Sequence, residues 1–333
     1  MPRARFVEPE APPAVEFITS GSLLLDLILG GGWAVGRVAN IVGDASSGKT
    51  LLVIEACANF AQRWAPGNIR YAESEAAFDV AYAESLGMPK GIRLSSEEET
   101  TTLRTVEDWH NDLKAFLKDA DEGPKLYALD SFDGLSDAAE LAADFGAASY
   151  GTGKARDSSK MLRLVTADVR DAQCAMLVIS QTRENIGVTF GEKKTRSGGK
   201  ALRFYCSQEI WLAETGKIYR EWDKVKRPIG VEVLVNNKKN KISLPYRRAE
   251  ISILFGYGVD DETSNAQWLQ DNNGKLPFKN ITETKAEIAR FRRNQDRDGL
   301  LDLARELRDS VKHRWGDIED AMRPTMRKYQ AGG

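Results

Sequence analysis

The stretch Gly43-Asp44-Ala45-Ser46-Ser47-Gly48-Lys49-Thr50 decides the fold, because it lies between an apolar run, residues 37–42, and a helix-like run, residues 51–62. After a strand, the two flanking glycines let successive backbone N–H groups point inward, and the helix N-terminus adds its dipole. In this setting a lysine reaches the β- and γ-phosphates of a nucleotide and a hydroxyl holds Mg²⁺. The stretch therefore predicts a phosphate-binding loop with Lys49 and Thr50 in these roles. A serine- and glycine-rich turn that caps an ordinary helix is the alternative.

The length and composition indicate a globular protein with one large core and a smaller appendage. The 333 residues are 42% hydrophobic and 29% charged. No apolar run approaches the roughly 18 residues that a membrane-spanning helix needs, and residues 1–5 lack the apolar centre of a signal peptide. We therefore predict a cytoplasmic protein that does not bind a membrane.

The cysteines and histidines argue against a metal site built from these residues. Cys57, Cys174 and Cys206 are odd in number, far apart and embedded in apolar sequence, so buried thiols are expected rather than disulfides. His110 and His313 are the two histidines of the sequence, so a histidine-based metal site is not expected.

A net charge of −2 conceals a strong asymmetry along the chain. Residues 70–150 carry 18 acidic and 7 basic side chains, whereas residues 217–248 carry 10 basic and 3 acidic ones. The basic stretch 217–248 is most simply a solvated surface, and it gains meaning only if it lies near a polyanion.

Strand-like and helix-like segments alternate after the phosphate-binding loop. The predicted buried strands are 69–72, 125–130 and 175–181, the helix-like stretches are 76–120 and 158–172, and the later strand-like runs are 209–213, 231–236 and 250–254. This order predicts an α/β fold, with a mostly parallel central sheet flanked by helices and a set of antiparallel strands at its end.

The chain divides into three parts. Residues 1–17 contain four prolines and predict an extended arm, residues 18–260 form the core, and residues 261–333 form a small, mostly helical C-terminal domain. In the last part, apolar residues between Leu300 and Met322 recur at three- and four-residue spacing, which is typical of one helix face. We expect Gly316 to break this helix.

Polar residues at the ends of the predicted strands suit phosphoryl transfer, which needs a metal, a positioned water molecule and charge stabilisation. Asp130 ends its strand where it can complete the shell of Mg²⁺, or it simply caps the strand end. Glu73 and Glu75 follow another strand, and one of them can polarise water, although both suit a solvated loop equally. Gln181 offers an amide that can contact the γ-phosphate and relay its presence to the following loop.

Several stretches together resemble the RecA-family DNA recombinases. The resemblance covers roughly residues 17–260, and its most specific part is the run 186–205. The matching stretches are Ile18-Thr19-Ser20-Gly21-Ser22-Leu23, the loop 43–50, Ala128-Leu129-Asp130-Ser131, Ile186-Gly187-Val188-Thr189-Phe190-Gly191, Ser197-Gly198-Gly199-Lys200-Ala201-Leu202-Arg203-Phe204-Tyr205, and Lys239-Asn240-Lys241-Ile242 with Pro245. The resemblance implies a RecA-like P-loop ATPase core that uses ATP and Mg²⁺.

For the nucleotide site, the resemblance implies that Glu75 positions the attacking water, with Glu73 as a secondary carboxylate. Gln181 would sense the γ-phosphate, while Lys239 and Lys241 would reach the γ-phosphate of a neighbouring subunit. The implied catalytic residues are Lys49, Glu75, Gln181, Lys239 and Lys241. The implied nucleotide-binding residues are Gly43, Asp44, Ala45, Ser46, Ser47, Gly48, Lys49, Thr50, Leu51, Asp79, Tyr82, Asp130 and Pro245, where Asp79 and Tyr82 hold the adenine. Thr50 and Asp130 would hold the metal.

The resemblance also implies two DNA-binding loops, residues 147–156 and 182–197. Glycines allow the backbone to approach phosphates closely, and arginines and lysines neutralise them with a salt-dependent affinity. Because Phe190 is the one aromatic residue of the second loop, we expect sequence-tolerant binding that follows the DNA backbone. A plain solvent-exposed loop is the alternative. The implied DNA-binding residues are Arg156, Ser159, Arg163, Arg183, Glu184, Asn185, Ile186, Thr195, Gly198, Gly199 and Lys200.

The sequence departs from the family pattern in places. About 17 proline-rich residues stand where bacterial members have a docking helix and strand, and residues 283–333 lack the acidic tail common in those members. Ser180 and Ala76 replace a customary asparagine and histidine. In these respects the chain resembles compact, phage-encoded members, so we expect it to act in a bacterial cell.

The expected function is ATP-dependent homologous recombination. A homo-oligomeric helical filament, with ATP at the subunit interfaces, would bind single-stranded DNA as its primary partner and pair it with homologous double-stranded DNA. A RecA-like accessory or regulatory DNA-binding ATPase without strand exchange is the main alternative, and a hexameric helicase is disfavoured by the run 186–205. The C-terminal part offers either a second site for duplex DNA or a solvated helix face at Arg290, Arg292, Arg293 and Arg297.

Overall fold

The computed structural model describes residues 15–94, 102–142, 152–184, 194–196 and 199–324, with the backbone alone described at residues 152, 183–184, 194–196 and 199–200. The strands are β1 (Phe17–Ile18), β2 (Trp33–Ala34), β3 (Val38–Gly43), β4 (Ile69–Glu73), β5 (Arg93–Leu94), β6 (Lys125–Asp130), β7 (Cys174–Glu184), β8 (Lys194–Arg196), β9 (Gln208–Trp222), β10 (Val225–Asn240), β11 (Arg248–Leu254) and β12 (Gly258–Val259). The helices are α1 (Leu23–Leu29), α2 (Lys49–Ala61), α3 (Val80–Ser85), α4 (Val106–Asp119), α5 (Ala138–Ala142), α6 (Thr152–Asp171), α7 (Gly199–Tyr205), α8 (Asp261–Asp271), α9 (Ile281–Arg293) and α10 (Arg297–Met322).

One large sheet organises most of these elements, in the order β12-β11-β10-β9-β3-β7-β6-β4-β5, with β8 paired to the end of β7, while β1 and β2 form a separate two-stranded sheet. From β9 to β5 every neighbouring pair is parallel, and from β9 to β12 every pair is antiparallel. The predicted mixed, mostly parallel α/β sheet is therefore confirmed. The carboxyl ends of β3, β4, β6 and β7 lie along one edge, where α/β sheets place their ligand sites.

Apolar side chains cover both faces of the parallel strands, which explains why these strands read as continuous hydrophobic runs. On β6, Leu126 and Ala128 face the layer that contains α1 and α2, whereas Tyr127 and Leu129 face the layer that contains α4 and α6. A polar side chain caps the start of α1, since the Ser22 hydroxyl accepts a hydrogen bond from the backbone N–H of Leu25.

The three C-terminal helices share one of these apolar layers. Leu303, Leu307 and Val311 of α10 are buried in the same cluster as α1 and α2, and the Trp268 and Trp315 rings lie 5.6 Å apart between centroids. The predicted break at Gly316 is wrong, since α10 runs through it to Met322. A helical glycine is unfavourable by only about 1 kcal/mol, and the packing of the neighbouring Trp315 outweighs this.

Three further predictions of local structure need correction. The stretch 76–120 was expected to be helical, but its described part holds only α3 and α4 as helices and also contains β5. Residues 182–197 were expected to be a loop, but this segment begins within β7 and contains β8. Strands β9 and β10 extend well beyond the predicted 209–213 and 231–236, because they form a long hairpin whose outer part is exposed and has no apolar run.

Within the described ranges, no helix is both long enough and apolar enough to cross a membrane.

Candidate functional site

The loop between β3 and α2 curls tightly over the start of the helix. Gly48 is the residue before α2, with φ at +88°, and a Cβ there would lie 2.5 Å from the side chain of Ile253. A Cβ on Gly43 would lie 2.4 Å from the hydroxyl of Ser47, which itself donates to the carbonyl of Asp44 at 2.8 Å. Both glycines are therefore required by close approach, and the loop leaves the N-terminus of α2 facing a cavity.

Lys49 is folded back into this loop. Its Nζ donates to the carbonyl oxygen of Asp44 at 2.5 Å, and burial lowers the pKa of the lysine, opposed by nearby carboxylates that include Asp130 and Glu75. A carbonyl is a weaker partner for an ammonium group than a phosphate oxygen is. Lys49 is thus held close to the position from which it can reach an anion in the cavity.

A hydroxyl and a carboxylate meet where α2 begins and β6 ends. Thr50 Oγ1 donates to Asp130 Oδ2 at 2.8 Å, and the phenol of Tyr71 donates to the same oxygen at 2.7 Å. Burial raises the pKa of Asp130, while these two hydrogen bonds oppose the rise. Hard oxygen donors of this kind fit Mg²⁺, which is commonly held by one or two carboxylates together with substrate phosphates. No group of three potential metal-ligating side chains occurs among the described residues, so a nucleotide would have to supply ligands too.

Glu73 shapes the turn that follows β4. Its Oε1 accepts hydrogen bonds from the backbone N–H groups of Glu75 at 3.0 Å and Ala77 at 2.9 Å. The side chain of Glu73 is buried, and these contacts fix the backbone that carries Glu75. The structure therefore gives Glu73 a positioning contact, whereas Glu75 extends toward its neighbours on β6 and β7.

Glu75 is joined to two other strand ends. Its Oε1 accepts a hydrogen bond from the hydroxyl of Ser131, which follows β6, and from Nε2 of Gln181 on β7 at 3.2 Å. The backbone N–H of Gln181 donates to Asp133 Oδ2 at 2.7 Å, and the hydroxyl of the next residue, Thr182, donates to the carboxylate of Asp44. The strand that leads into the 182–197 segment is therefore connected directly to both Glu75 and the phosphate-binding loop.

These groups surround a cavity of about 470 Å³. Asp79 caps α3 by accepting from the backbone of Tyr82 at 3.0 Å, and the ring of Tyr82 is 53% exposed at the cavity. The structure brings the following predicted site residues to the cavity wall: Ser46, Ser47, Gly48, Lys49, Thr50, Leu51, Glu73, Glu75, Asp79, Tyr82 and Asp130. Gly43, Asp44 and Ala45 belong to the loop but do not line the cavity.

The opposite wall was not predicted from the sequence. It is apolar and comes from α2, from the segment after Ala76, and from β10, β11 and the residue that follows β11. Its members are Ile54, Ala77, Phe78, Leu86, Val231, Ile253, Leu254 and Phe255. Phe255 is unusual for a residue beside a strand because its ring is exposed. An aromatic residue directly after β11 is a sequence signal that could have pointed to this wall, although the next aromatic residue, Tyr257, is also exposed and does not line the cavity.

Lys239 and Lys241 lie away from this cavity. Both ammonium groups donate to the carbonyl of Phe204 near the end of α7, at 3.0 Å for Lys239 and 3.3 Å for Lys241. Pro245 lies between β10 and β11, and within the described part of the chain none of these three residues lines the cavity. A single chain does not bring the predicted lysine pair to its own phosphate-binding loop.

The predicted DNA-binding residues that the structure describes fall on four elements, α6, β7, β8 and α7. Arg156, Ser159 and Arg163 follow one face of α6 at three- and four-residue spacing, with both arginines exposed. Arg183 pairs with Thr195 in the β7–β8 ladder, where Glu184 also pairs with Lys194, and Gly199 and Lys200 begin α7. Asn185, Ile186 and Gly198 lie outside the described residues, as do 147–151 of the first predicted loop and 1–14 of the predicted arm.

Comparison with known proteins shows the family to which the chain belongs. A family model described as the RecA N-terminal domain matches residues 7–260. The chain belongs to the RecA family. Proteins named RecA from Prochlorococcus marinus (strain MIT 9211) and Delftia acidovorans are 34% and 35% identical to it over 247 and 259 residues, which cover 74% and 78% of this chain. A RecA from Nostoc sp. (strain PCC 7120) is 35% identical over 247 residues and 74% of this chain.

The chain spans 63%, 67% and 65% of the length of these three RecA relatives. The range that matches the RecA family model contains the phosphate-binding loop, Glu75, Gln181 and the lysine pair, and it ends at Asp260. Helices α8, α9 and α10 lie beyond it.

Proposed function

We propose that this chain is an ATP-dependent recombinase that forms a filament on single-stranded DNA and pairs that strand with a homologous duplex in the bacterial cytoplasm. The hydrogen bond between Gln181 and Glu75 carries the proposal. It joins the carboxylate that is suited to positioning water to the strand that leads into the proposed second DNA-binding loop. Nucleotide state and DNA affinity are thereby linked through one contact.

The chain's own groups divide the work of hydrolysis. The triphosphate lies along the 43–50 loop, and Lys49 exchanges the carbonyl of Asp44 for phosphate oxygens. Thr50 and Asp130 would hold Mg²⁺, which would neutralise charge on the phosphates. Glu75 holds the attacking water in line, and Tyr82 packs against the base.

A neighbouring subunit completes this site. Lys241 is exposed and Lys239 is half-buried, and neither residue lines the cavity of its own chain, so the pair serves the γ-phosphate of another copy. Charge stabilisation supplied from outside the nucleotide-binding chain makes hydrolysis depend on assembly. This arrangement makes the helical filament the active form and places ATP between subunits.

Single-stranded DNA binds to the face formed by Arg156, Ser159 and Arg163 and to the segments that follow Gln181 and precede α7. When the γ-phosphate is present, the amide of Gln181 turns toward it and the following segment takes the DNA-binding arrangement. Hydrolysis removes that contact and releases the DNA. The duplex partner is bound by the assembled filament.

A strand-exchange assay tests the proposal. The chain is incubated with circular single-stranded DNA, a linear homologous duplex and ATP, while filaments are imaged by electron microscopy with a non-hydrolysable ATP analogue. The expected results are nucleotide-dependent filaments and joint molecules that require homology. Filaments and hydrolysis without joint molecules would instead indicate an accessory DNA-binding ATPase, and the absence of filaments on single-stranded DNA would contradict the proposal altogether.

A further inference from the structure

The β9–β10 hairpin projects from the sheet at the edge that carries the nucleotide site. Strand β9 pairs with β3 only as far as Leu212, which lies opposite Gly43, and Gly43 also lies opposite Gln181 of β7. Beyond Leu212, β9 continues for ten residues to Trp222, a reach of about 30 Å at the usual rise of a strand. Strand β9 therefore parts from β3 beside the phosphate-binding loop and Gln181, and the hairpin leaves the sheet beyond Gly230, the last residue of β10 that pairs with β11.

The outer part of the hairpin is a two-stranded ribbon with a tight turn. The turn residues Asp223 and Lys224 both have positive φ, at 46° and 64°, which matches a two-residue turn between twisted strands. Register pairs Trp222 with Val225 and Arg220 with Arg227 directly across the strands. Since alternate residues share a face, Arg220, Trp222, Val225 and Arg227 form one surface, which we call the arginine face.

The charged side chains on the two faces of the ribbon differ in the contacts that they make. On the opposite face, Glu221 lies across from Lys226, whose ammonium group sits 4.8 Å from the centroid of Tyr219. On the arginine face, neither Arg220 nor Arg227 makes an ion pair with any residue that the structure describes. Like charges directly across two strands destabilise a ribbon, so this pair favours an anion brought by a partner.

An exposed indole completes the arginine face. Trp222 is 85% exposed beside Val225, at the tip of the ribbon. A flat aromatic ring flanked by two guanidinium groups is the combination that binds an unpaired nucleic-acid strand, in which phosphates meet the cations and a base stacks on the ring. An intact duplex keeps its bases stacked on one another and offers the indole no free base face.

We propose that the arginine face is a binding site for single-stranded DNA, with Arg220 and Arg227 on phosphates and Trp222 stacked on a base. This site rests on the proposed function in that DNA is the chain's ligand, but it is separate from the α6 face and the segments around β8. It also gives the basic stretch 217–248 a role at its outer end.

Photocross-linking locates the site directly. The full chain is mixed with a mixed-sequence single-stranded oligonucleotide in which iododeoxyuridine replaces thymidine, irradiated, digested and mapped by mass spectrometry. An iodinated base stacked on an aromatic ring cross-links to that ring, so a cross-link at Trp222 is expected. If DNA is bound and cross-links form only elsewhere in the chain, the arginine face is not a DNA site and the proposed function stands. If the chain binds no single-stranded DNA, both fail.

Affinity measurements with matched variants supply the second test. Binding of the single strand is measured by fluorescence anisotropy, and Trp222→Ala is expected to weaken it on the order of tenfold. The double variant Arg220→Ala, Arg227→Ala is expected to reduce the slope of the logarithm of the binding constant against the logarithm of the salt concentration by about 1.4. Lys90→Ala with Arg305→Ala removes the same charge at two other exposed positions and should leave the slope unchanged.

Three results would overturn the site. The first is an equal loss of affinity in the Lys90 and Arg305 control, which would show an effect of net charge alone. The second is a loss by Trp222→Ala for the matching duplex but not for the single strand. The third is a change in oligomeric state of Trp222→Ala without DNA, by light scattering, which would mark the arginine face as a contact between copies of the chain.

Discussion

The side-chain amide of Gln181 donates a hydrogen bond to the carboxylate of Glu75, with 3.2 Å between Nε2 and Oε1. The two residues are 106 positions apart in the chain, and they meet because β7 and β4 both end at the same edge of the sheet. A phosphate that drew the amide away would free Glu75 and shift the start of the following segment at once. The contact therefore suits a two-state element.

Loss of the Gln181 amide should uncouple DNA affinity from nucleotide. Gln181→Ala is expected to bind an ATP analogue normally, because Lys49, Thr50 and Asp130 are untouched, while its affinity for single-stranded DNA becomes nearly equal with the analogue and with ADP. Fluorescence anisotropy under both nucleotides measures this. Gln267→Ala, on α8, is the matched control and should keep the wild-type ratio, whereas a preserved ratio in Gln181→Ala would show that the amide is not the link.

Two inactive variants should restore each other if a neighbouring subunit supplies the lysines. Lys49→Ala lacks a working phosphate-binding loop but keeps Lys239 and Lys241, and Lys239→Ala keeps the loop but lacks one of the two lysines. Each alone should hydrolyse ATP at least tenfold more slowly than wild type, since a charge supplied in trans is commonly worth a factor of about 10³ or more.

The mixture decides between the two arrangements. At equal concentrations, some interfaces combine an intact loop with an intact lysine pair, and hydrolysis should rise well above the sum of the separate rates. A mixture that shows only the sum would place the lysines in the site of their own chain. Lys49→Ala mixed with a Lys49→Ala, Lys239→Ala double variant is the control, because no interface in that mixture has an intact loop.

The wall of the cavity that contains the phosphate-binding loop and Asp130 could be predicted from the sequence because its signals are local. The loop 43–50 lies between one strand and one helix, and Asp130 and Gln181 each end an apolar run, so neighbouring parallel strands must bring them to one edge. The opposite, apolar wall could not be predicted, because Val231 and Ile253 belong to strands about two hundred residues after the phosphate-binding loop and carry only apolar side chains. Such residues look the same whether they line a cavity or fill a core.

The long hairpin and the intact α10 were missed for related reasons. Residues 214–230 form an exposed ribbon whose strands bury little, so they lack the alternation by which a half-buried strand is recognised. Gly316 has a weak local preference against helix, but contacts of Trp315 and Ile318 with the core hold the helix together. The ribbon was missed because it has few tertiary contacts, and the continuous α10 was missed because tertiary contacts outweigh the local preference of Gly316.

Glu55 should make stability fall as the pH rises through neutrality. Burial raises its pKa from 4.5 to about 7, and its Oε1 accepts from the backbone of Val259 at 2.7 Å. Because the folded state binds this proton more tightly than the unfolded state, the stabilisation is complete below about pH 4.5 and is lost as the pH rises through about 7. Glu55→Gln keeps an acceptor for Val259 and cannot ionise.

Urea denaturation of both proteins measures the effect. The free energy of unfolding of wild type minus that of Glu55→Gln is expected to be lower at about pH 8 than at about pH 5, by up to ~3 kcal/mol. Comparison with the variant removes the contribution of other groups, such as Asp26, whose pKa burial raises to about 6. A difference that does not change with pH would show that Glu55 is not protonated near neutrality in the folded chain.

The C-terminal helices should contribute to the stability of the whole chain. Leu307 of α10 is fully buried in the apolar layer that also holds α1 and α2, so Leu307→Ala leaves a cavity there and should lower the free energy of unfolding by about 2–5 kcal/mol. Leu301, on the same helix, is 53% exposed, and Leu301→Ala should change it by less than about 0.5 kcal/mol. Urea denaturation is followed through circular dichroism, which reports on the secondary structure of the whole chain, and through tryptophan fluorescence, which reports on Trp33 and Trp109 beside the sheet as well as on Trp268 and Trp315 in the helices. Coincident transitions at lower urea are expected for Leu307→Ala, because one apolar layer connects the helices to the sheet. A separate early transition confined to the helices would show instead that residues 261–333 unfold as an independent domain.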